Sequence, residues 1–415
     1  MSTQRPRRSA ITGIGVVAPN GQGTDAYWKS VSEGLGVLDL ITREGCEHLP
    51  LRVAGQIRSF DAAALIEDRF LVQTDRFSHF AMAAAALALD DAGLGSGHPA
   101  EPFSIGVITA AGSGGGEFGQ RELQKLWGRG SKFVGPYQSI AWFYAASTGQ
   151  ISIRGGFKGP CGVVASDEAG GLDSLAHAAR AVARGTDVMV VGAAEAPLAP
   201  YSMVCQLGYP ELSTVEDPDR AYRPFTEKAC GFVPAEGGAL LVVEDETRAR
   251  ERGAPVRAVV AGHAATFTGA SRWAESREGL ARAIRGALDE AGCAPEEIDV
   301  VFADALGVPE ADRAEALAIA DALGGHGTRV PVTAPKTGIG RAYCAAPVLD
   351  TVAAVLAMEH GRIPPTPHVF DICHDLDLVM SRARPAELRT ALVLSRGLMG
   401  SNAALVVRRG DESAR

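Results

Sequence analysis

Short apolar runs alternate with longer segments of helical spacing along this chain. Apolar runs at 10–17, 104–110 and 187–194 predict buried strands. Segment 75–94 repeats small apolar side chains at helical intervals, which predicts a closely packed helix. Strands that alternate with helices are typical of parallel α/β units, so the chain is predicted to belong to the α/β class.

The same order of elements starts again near residue 254. The later segments alternate between strand and helix patterns, at 256–265, 275–292, 300–303, 311–323, 345–361, 392–395 and 403–407. This repeat predicts two halves of similar order, residues 1–253 and 254–415. We expect the halves to pack as one body around a large core, since 46% of the 415 residues are hydrophobic.

Charge and cysteine usage exclude several classes of protein. The net charge of −9 gives no electrostatic reason for nucleic-acid binding. The seven cysteines contain no CxxC pair and fit reduced thiols better than a disulfide framework or a zinc site, so no metal is expected. Cys161 and Cys205 lie in apolar segments and are predicted to be core residues. With no signal peptide and no apolar stretch of membrane-spanning length, we expect a cytoplasmic protein without a membrane partner.

A glycine-rich segment, 111–119, follows the strand predicted at 104–110. It lacks the Lys-Ser/Thr pair of a phosphate loop and the spacing of a dinucleotide site, so we interpret it as backbone that packs closely against a neighbour. A helix is predicted over 138–152, and it carries three successive aromatic residues. These aromatic side chains are expected either in the core or at a subunit interface.

A strand, a tight corner and an amphipathic helix are predicted in Cys161-Gly-Val-Val-Ala-Ser-Asp-Glu-Ala-Gly-Gly-Leu-Asp173. Many α/β enzymes hold a nucleophile at such a corner. Glu168 is predicted in the first helical turn, where unpaired N–H groups and the helix dipole favour negative charge. A cysteine there would be an activated thiolate, whereas a glutamate cannot form a stable thioester.

This segment resembles the active-site segment of β-ketoacyl synthases, in which the position of Glu168 is the acyl-carrying cysteine. It is more similar still to the chain length factor, the cysteine-less sister subunit of type II polyketide synthases, where glutamine is usual. The resemblance runs from Ala10-Ile-Thr-Gly-Ile-Gly to Gly400-Ser-Asn-Ala-Ala. It implies a thiolase-like fold, a duplicated five-layered α-β-α-β-α sandwich, and no cofactor.

The two histidine motifs of the family have counterparts without histidine. Phe302-Ala-Asp-Ala-Leu-Gly-Val-Pro-Glu310 carries Asp304 at the first histidine position, and Lys336-Thr-Gly-Ile-Gly-Arg-Ala-Tyr343 carries Arg341 at the second. By this resemblance no catalytic residue is intact. The resemblance also identifies Glu315 and Lys336 as remnants of the surroundings of the family's catalytic residues. Leu398 stands in place of a gating phenylalanine.

Glu168 is expected to pair with Arg341, and Arg341 with Asp304, because buried charges need partners. A catalytic role for Glu168 as a base or decarboxylation aid is the alternative. A carboxylate would repel the malonyl carboxylate and donates no hydrogen bond, which counts against this alternative.

The resemblance implies a subunit that pairs with a ketosynthase α subunit and shapes the tunnel in which the polyketide grows on malonyl units from an acyl carrier protein. Gly116 stands where a bulky phenylalanine often occurs, so its small size is expected to deepen the tunnel. The expected tunnel or interface residues are Gly112, Gly116, Phe133, Ile140, Phe143 and Tyr144.

Two other functions stay open from the sequence. One is an enzyme in its own right, either a malonyl-carrier decarboxylase or a divergent thiolase-fold acyltransferase that uses Glu168. The other is a homodimeric pseudoenzyme without a role in chain length.

Overall fold

A twelve-stranded mixed sheet runs through the computed structural model, which describes residues 8–95, 101–269 and 273–410. The strands are β1 (Ser9–Ala18), β2 (Gly21–Gln22), β3 (Asp39–Leu40), β4 (Val53–Ala54), β5 (Ile105–Ala110), β6 (Cys161–Val164), β7 (Val188–Glu195), β8 (Gly237–Asp245), β9 (Ala258–Phe267), β10 (Val300–Phe302), β11 (Pro331–Thr333), β12 (Arg362–Ile363), β13 (Asp377–Leu378), β14 (Arg384–Pro385), β15 (Thr390–Arg396) and β16 (Ser401–Arg409). Strand pairs β3–β4 and β12–β14 form two small separate sheets.

Helices connect these strands. The α-helices are α1 (Thr24–Glu33), α2 (Ala62–Leu65), α3 (Asp68–Leu71), α4 (Arg76–Asp91), α5 (Gly116–Arg129), α6 (Gln138–Ala141), α7 (Ala146–Gly155), α8 (Gly170–Ala183), α9 (Pro200–Gln206), α10 (Glu246–Glu251), α11 (Ser276–Ala291), α12 (Pro309–Leu323) and α13 (Ala346–His360). The predicted helices at 75–94, 275–292, 311–323 and 345–361 correspond to α4, α11, α12 and α13, with bounds that differ by no more than a turn.

The large sheet contains the same strand arrangement twice. In the first part, β6, β5 and β7 are parallel, and β8 and β1 continue the sheet antiparallel. In the second part, β11, β10 and β15 are parallel, and β16 and β9 continue antiparallel. Pairing of β1 with β9 joins the two parts. This repeat supports a division of the chain after residue 253, which stays a prediction.

The helices form three layers, which the two parts of the sheet separate. Helices α8 and α13 pack between the two parts, and Val348, Val352 and Val355 of α13 are completely buried there. Helices α4 and α7 cover the outer face of the first part, and α11 and α12 cover the outer face of the second. Because α13 meets protein on every side, it needs the apolar, alanine-rich sequence that predicted it.

The helix predicted over 138–152 is broken into α6 and α7. The glycine-rich segment packs against the break, where the Gly115 N–H donates to the Trp142 carbonyl oxygen at 3.0 Å. A Cβ atom at Gly115 would lie 1.9 Å from the carbonyl oxygen of Ala141. The prediction of close backbone packing for 111–119 is therefore confirmed, whereas the single long helix was wrong because this contact interrupts it.

Two further predictions were wrong. Cys161 and Cys205 are exposed and not core residues. Cys161 begins β6, which pairs only with β5 within the described residues and forms one edge of the large sheet. An apolar run alone does not distinguish such an edge strand from a central one, since only the tertiary structure decides what covers it.

Candidate functional site

Polar side chains gather where the carboxyl ends of the parallel strands meet, the usual position of sites in α/β proteins. Glu195 is the last residue of β7 and Arg396 the last residue of β15. Asp304 follows β10, and Glu168 lies between β6 and α8. All four side chains are buried, with exposed fractions of 3% or less. Such burial requires that each charge be paired or neutralised.

Asp304 is the centre of a buried ion network. Its carboxylate lies 2.8 Å from Nη1 of Arg341 and 3.2 Å from Nε of Arg396. Arg396 also contacts Glu315 at 2.9 Å. Although burial acts to raise the pKa of Asp304, the charges of Arg341, Arg396 and Lys336 hold that pKa below its ordinary value. Asp304 is thus an ionised structural partner and not a free acid.

Lys336 extends this network to helix α13. Its Nζ lies 2.5 Å from Asp350 and donates to the carbonyl oxygens of Ala303 and Asp304 at 2.8 and 3.1 Å. Burial raises the pKa of Asp350 to about 6, against the lowering effect of Lys336. Lys336, Arg341 and Arg396 therefore face three carboxyl groups in one buried cluster, those of Asp304, Glu315 and Asp350.

Glu168 stands apart from this network. It precedes α8, which begins at Gly170, so the prediction that it lies in the first helical turn was wrong. Its Oε2 accepts the N–H of Leu398 at 2.9 Å. Burial and the neighbouring Asp167 raise the pKa of Glu168 well above its ordinary value.

The expected pair of Arg341 with Asp304 is present, but the expected pair with Glu168 is absent from the ion pairs of the described residues. Arg341 directs Nη1 to Asp304 and donates from Nη2 to the carbonyl oxygen of Arg396 at 2.6 Å, so both terminal nitrogens are bound within the network. The prediction did not include Arg396, whose carbonyl oxygen accepts the hydrogen bond from Nη2 of Arg341.

A cavity of about 670 Å³ opens beside Glu168. Gly112 and Gly116 lie in its wall, and Glu168, Tyr343 and Met399 line it as well. Glu195 supports this wall, since its carboxylate accepts the N–H of Gly112 at 2.6 Å and the hydroxyl of Ser113 at 2.7 Å. Glu168 therefore faces an open space. A larger cleft of about 960 Å³, lined by Ala176, Val259 and Arg408, contains none of these strand-end residues.

The other predicted tunnel or interface residues lie on the surface of the chain and not in the cavity wall. Their exposed fractions are 37% for Phe133, 36% for Ile140, 41% for Phe143 and 40% for Tyr144. Trp142 is exposed to 52%. An ordinary core role for these side chains is therefore wrong, and a covered surface becomes the better interpretation.

Sequence reasoning missed several residues of the site. Glu195 and Arg396 are each the one charged residue of a buried strand, β7 and β15, which is the signal that could have identified them. Asp350 is the one acid inside the apolar stretch of α13 up to Met358, and such an isolated acid indicates a buried cationic partner. Asp167 carried no signal beyond its position beside Glu168.

No cluster of His, Cys, Asp and Glu in the described ranges could hold a metal ion. His263 lies inside β9, and its Nε2 contacts Asp173 at 3.0 Å. None of the helices in the described ranges is long and apolar enough to span a membrane.

The chain matches two family models. Residues 7–249 match the beta-ketoacyl synthase N-terminal domain, and residues 257–370 match the beta-ketoacyl synthase C-terminal domain. The chain therefore belongs to the beta-ketoacyl synthase family, and the predicted thiolase-like α/β fold is confirmed.

Its relatives include subunits of polyketide synthases. It is 77% identical over 411 residues to the polyketide beta-ketoacyl synthase 2 of Streptomyces cyaneus, covering 99% of this chain and 98% of that protein. It is 49% identical to the tetracenomycin polyketide synthase ketoacyl synthase beta subunit of Streptomyces glaucescens, covering 97% and 99%. Among solved structures, the ishigamide ketosynthase/chain length factor is 28% identical with a TM-score of 0.89, covering 98% of this chain and 100% of that one.

Proposed function

We propose that this chain is the chain length factor of a type II polyketide synthase, the non-condensing partner of a ketosynthase α subunit. One observation carries the proposal. By the resemblance, the three positions that would hold the reacting groups are occupied by Glu168, Asp304 and Arg341, all buried, while a cavity lies beside Glu168. A carboxyl group forms no stable thioester, and Asp304 and Arg341 are bound to each other, so the site cannot hold and extend an acyl chain.

The exposed aromatic surface is the proposed contact with the ketosynthase. We define it as residues 140–144 together with the edge strand β6. Residues 140–144 expose large apolar side chains that a chain without a partner would normally bury. Strand β6 has an unpaired edge, and such an edge is normally covered. The solved ketosynthase/chain length factor pair has the same fold as this chain, which supports a heterodimer over self-association.

The cavity is the proposed part of the elongation tunnel that this subunit supplies. Gly112 and Gly116 line its wall, so the depth available to a growing poly-β-ketoacyl chain depends on residues of this subunit. A relative in fold is described as a type II polyketide synthase acyl carrier protein in complex with its ketosynthase bound to the hexaketide. We infer that an acyl carrier protein likewise delivers malonyl units to the present pair. A cytoplasmic location remains part of this proposal.

The test is intact-mass spectrometry of a malonyl-loaded acyl carrier protein, incubated with this chain alone and then with a ketosynthase α partner. The proposal expects no reaction with the chain alone and extension in the mixture. Loss of carbon dioxide with the chain alone, abolished by Glu168→Ala, would establish an independent decarboxylase and overturn the proposal. Extension that proceeds equally without this chain would also overturn it.

A further inference from the structure

The larger of the two open spaces lies away from the candidate site. It is the cleft of about 960 Å³, and α8, β9 and the last residues of β16 form its sides. Thr390, which begins β15, also lines it, whereas Arg396 of the buried network ends the same seven-residue strand. A strand of that length spans about 20 Å. The cleft is therefore separate from the cavity beside Glu168, and the two share no lining residue.

Cations dominate the lining of this cleft. Five arginines from four segments of the chain line it, against two glutamates; the arginines are Arg8, Arg180, Arg389, Arg408 and Arg409. Because the whole chain has a net charge of −9, this excess of cations is local to the cleft. A concave surface lined by one sign of charge concentrates ions of the opposite sign.

Two of the arginines, Arg180 on α8 and Arg408 on β16, have no carboxylate partner in the described ranges. Arg408 donates from Nη2 to the carbonyl oxygen of Gly292 at 3.5 Å, which leaves its charge uncompensated. Glu290, an acid of the same lining, accepts the backbone N–H of His263 at 2.6 Å and pairs with neither arginine. We call Arg180 and Arg408 the unpaired arginines of the cleft.

The other three arginines lie beside carboxylates. Arg8 contacts Glu246 at 3.1 Å, and Arg389 contacts Glu387 at 2.6 Å. The hydrogen bond from Arg389 and, to a smaller extent, the charge of Arg409 lower the pKa of Glu387. Both glutamates of the lining are thus engaged by other groups, and the charge of the unpaired arginines stays available to a ligand.

Small apolar side chains line the cleft beside these charges. They are Ala176, Ala179 and Ala183 of α8, with Val259 and Ala261 of β9. Sites for small molecules commonly combine an apolar lining with a few polar groups, in volumes of roughly 300–1,000 Å³. The cleft has this size and this combination, so it can contact a charged group and an apolar group of one molecule.

We propose that this cleft binds a phosphate-bearing small molecule with an apolar body. The phosphate contacts the unpaired arginines, and the apolar body lies against the alanines of α8. Guanidinium groups match phosphate oxygens with parallel N–H donors. A phosphate monoester carries about two negative charges near neutral pH, which matches two arginines better than the single charge of a carboxylate. Binding here does not depend on the proposed function, so either can fail alone.

Isothermal titration calorimetry of the full chain with phenyl phosphate tests the arginines. The unchanged chain should bind, and the double variant Arg180→Gln/Arg408→Gln should bind about tenfold more weakly or worse, because it loses hydrogen bonds to a charged group. Arg184→Gln is the matched control, since Arg184 is exposed four positions further along and lies outside the lining. No binding by the unchanged chain would overturn the proposal. A loss in the double variant no larger than in Arg184→Gln would overturn it as well.

The same titration with inorganic phosphate and with phenol tests the two parts of the ligand. Each should bind several-fold more weakly than phenyl phosphate, because each lacks one of the two kinds of contact. Inorganic phosphate that binds as tightly as phenyl phosphate would refute the apolar body. Phenol that binds as tightly would refute the phosphate.

Histidine NMR of the full chain tests where the ligand lies. His263 is part of the lining, so its ring resonance, assigned with His263→Gln, should shift when phenyl phosphate is added. His360 is the control, because it lies outside the lining and stacks on Trp28. Binding that leaves the His263 resonance unchanged, or shifts it no more than that of His360, would place the ligand elsewhere and overturn the proposal.

Discussion

The buried network around Asp304 predicts a large loss of stability for Asp304→Asn. Asp304 Oδ1 lies 2.8 Å from Arg341 and also accepts the Arg396 N–H at 3.0 Å. Its Oδ2 contacts Arg396 Nε at 3.2 Å. Asparagine has nearly the same shape, but it removes the charge and turns one of these acceptors into a donor that faces another donor. The variant therefore isolates the charge and its hydrogen bonds from packing.

The distances set the size of the effect. At an effective dielectric constant of about 20, opposite charges at the 2.8 Å of the Arg341 pair attract by roughly 6 kcal/mol. Desolvation of the ions offsets much of this attraction. What remains when one partner of a buried pair is removed is about 3–5 kcal/mol, because the other charge is left without compensation. We expect Asp304→Asn to lower the free energy of unfolding by that amount.

The assay is urea-induced unfolding of the full chain, followed by circular dichroism. Asp321→Asn is the matched control, since Asp321 pairs with Arg277 at 2.6 Å on the surface and its loss should hardly change stability. The double variant Asp304→Asn/Arg341→Met should be more stable than Asp304→Asn, because it also removes one uncompensated charge. A loss below about 1 kcal/mol for Asp304→Asn, the size of an ordinary surface ion pair, would refute the reasoning.

Three further predictions follow from the cavity, the surface and a buried acid. Gly116→Phe should shorten the polyketide product, analysed by mass spectrometry. Gly116→Ala is its control, because a Cβ atom alone already comes within 2.0 Å of Ser202 Oγ, so both variants share this contact and only phenylalanine adds a ring. Unchanged product length with Gly116→Phe in an intact complex would contradict the tunnel role. Phe143→Glu should prevent co-purification with the ketosynthase, whereas Phe370→Glu, also exposed but outside residues 140–144 and β6, should not. Equal binding of both variants would argue against the aromatic surface. Burial raises the pKa of Asp312 to about 7, so its protonated form contributes stability that is fully present below pH 3.8 and is lost as the pH rises to about 7. The free energy of urea unfolding of Asp312→Ala should therefore fall less between these pH values than that of the unchanged chain. An equal pH dependence of the two proteins would refute this prediction.

The candidate residues Glu168, Asp304 and Arg341 were accessible from the sequence by resemblance, because the motifs around them are contiguous. Their partners were not. Asp304 and Arg396 are 92 positions apart, and Lys336 meets Asp350 only because α13 passes through the middle of the molecule. Geometry of this kind depends on which segments the fold brings together, and no local pattern records it.

The surface residues show the same limit. The aromatic run at 142–144 has the composition of a core segment, and only the broken helix and its exposed position distinguish a contact surface from a core. Hydrophobicity indicates that a side chain should be covered, but it does not say by what.

Local periodicity was enough to predict the alternation of strands and helices and its repeat. That Glu168, Asp304 and Arg341 stand at the positions of a cysteine and two histidines was an expectation from the family resemblance and not from periodicity. The tertiary structure alone decided that Arg341 pairs with Asp304 and not with Glu168. It also decided that Glu168 is buried and forms no ion pair among the residues that the structure describes. The physical reason is that a buried charge takes the partner that packing places within reach, and that partner can lie anywhere in the chain.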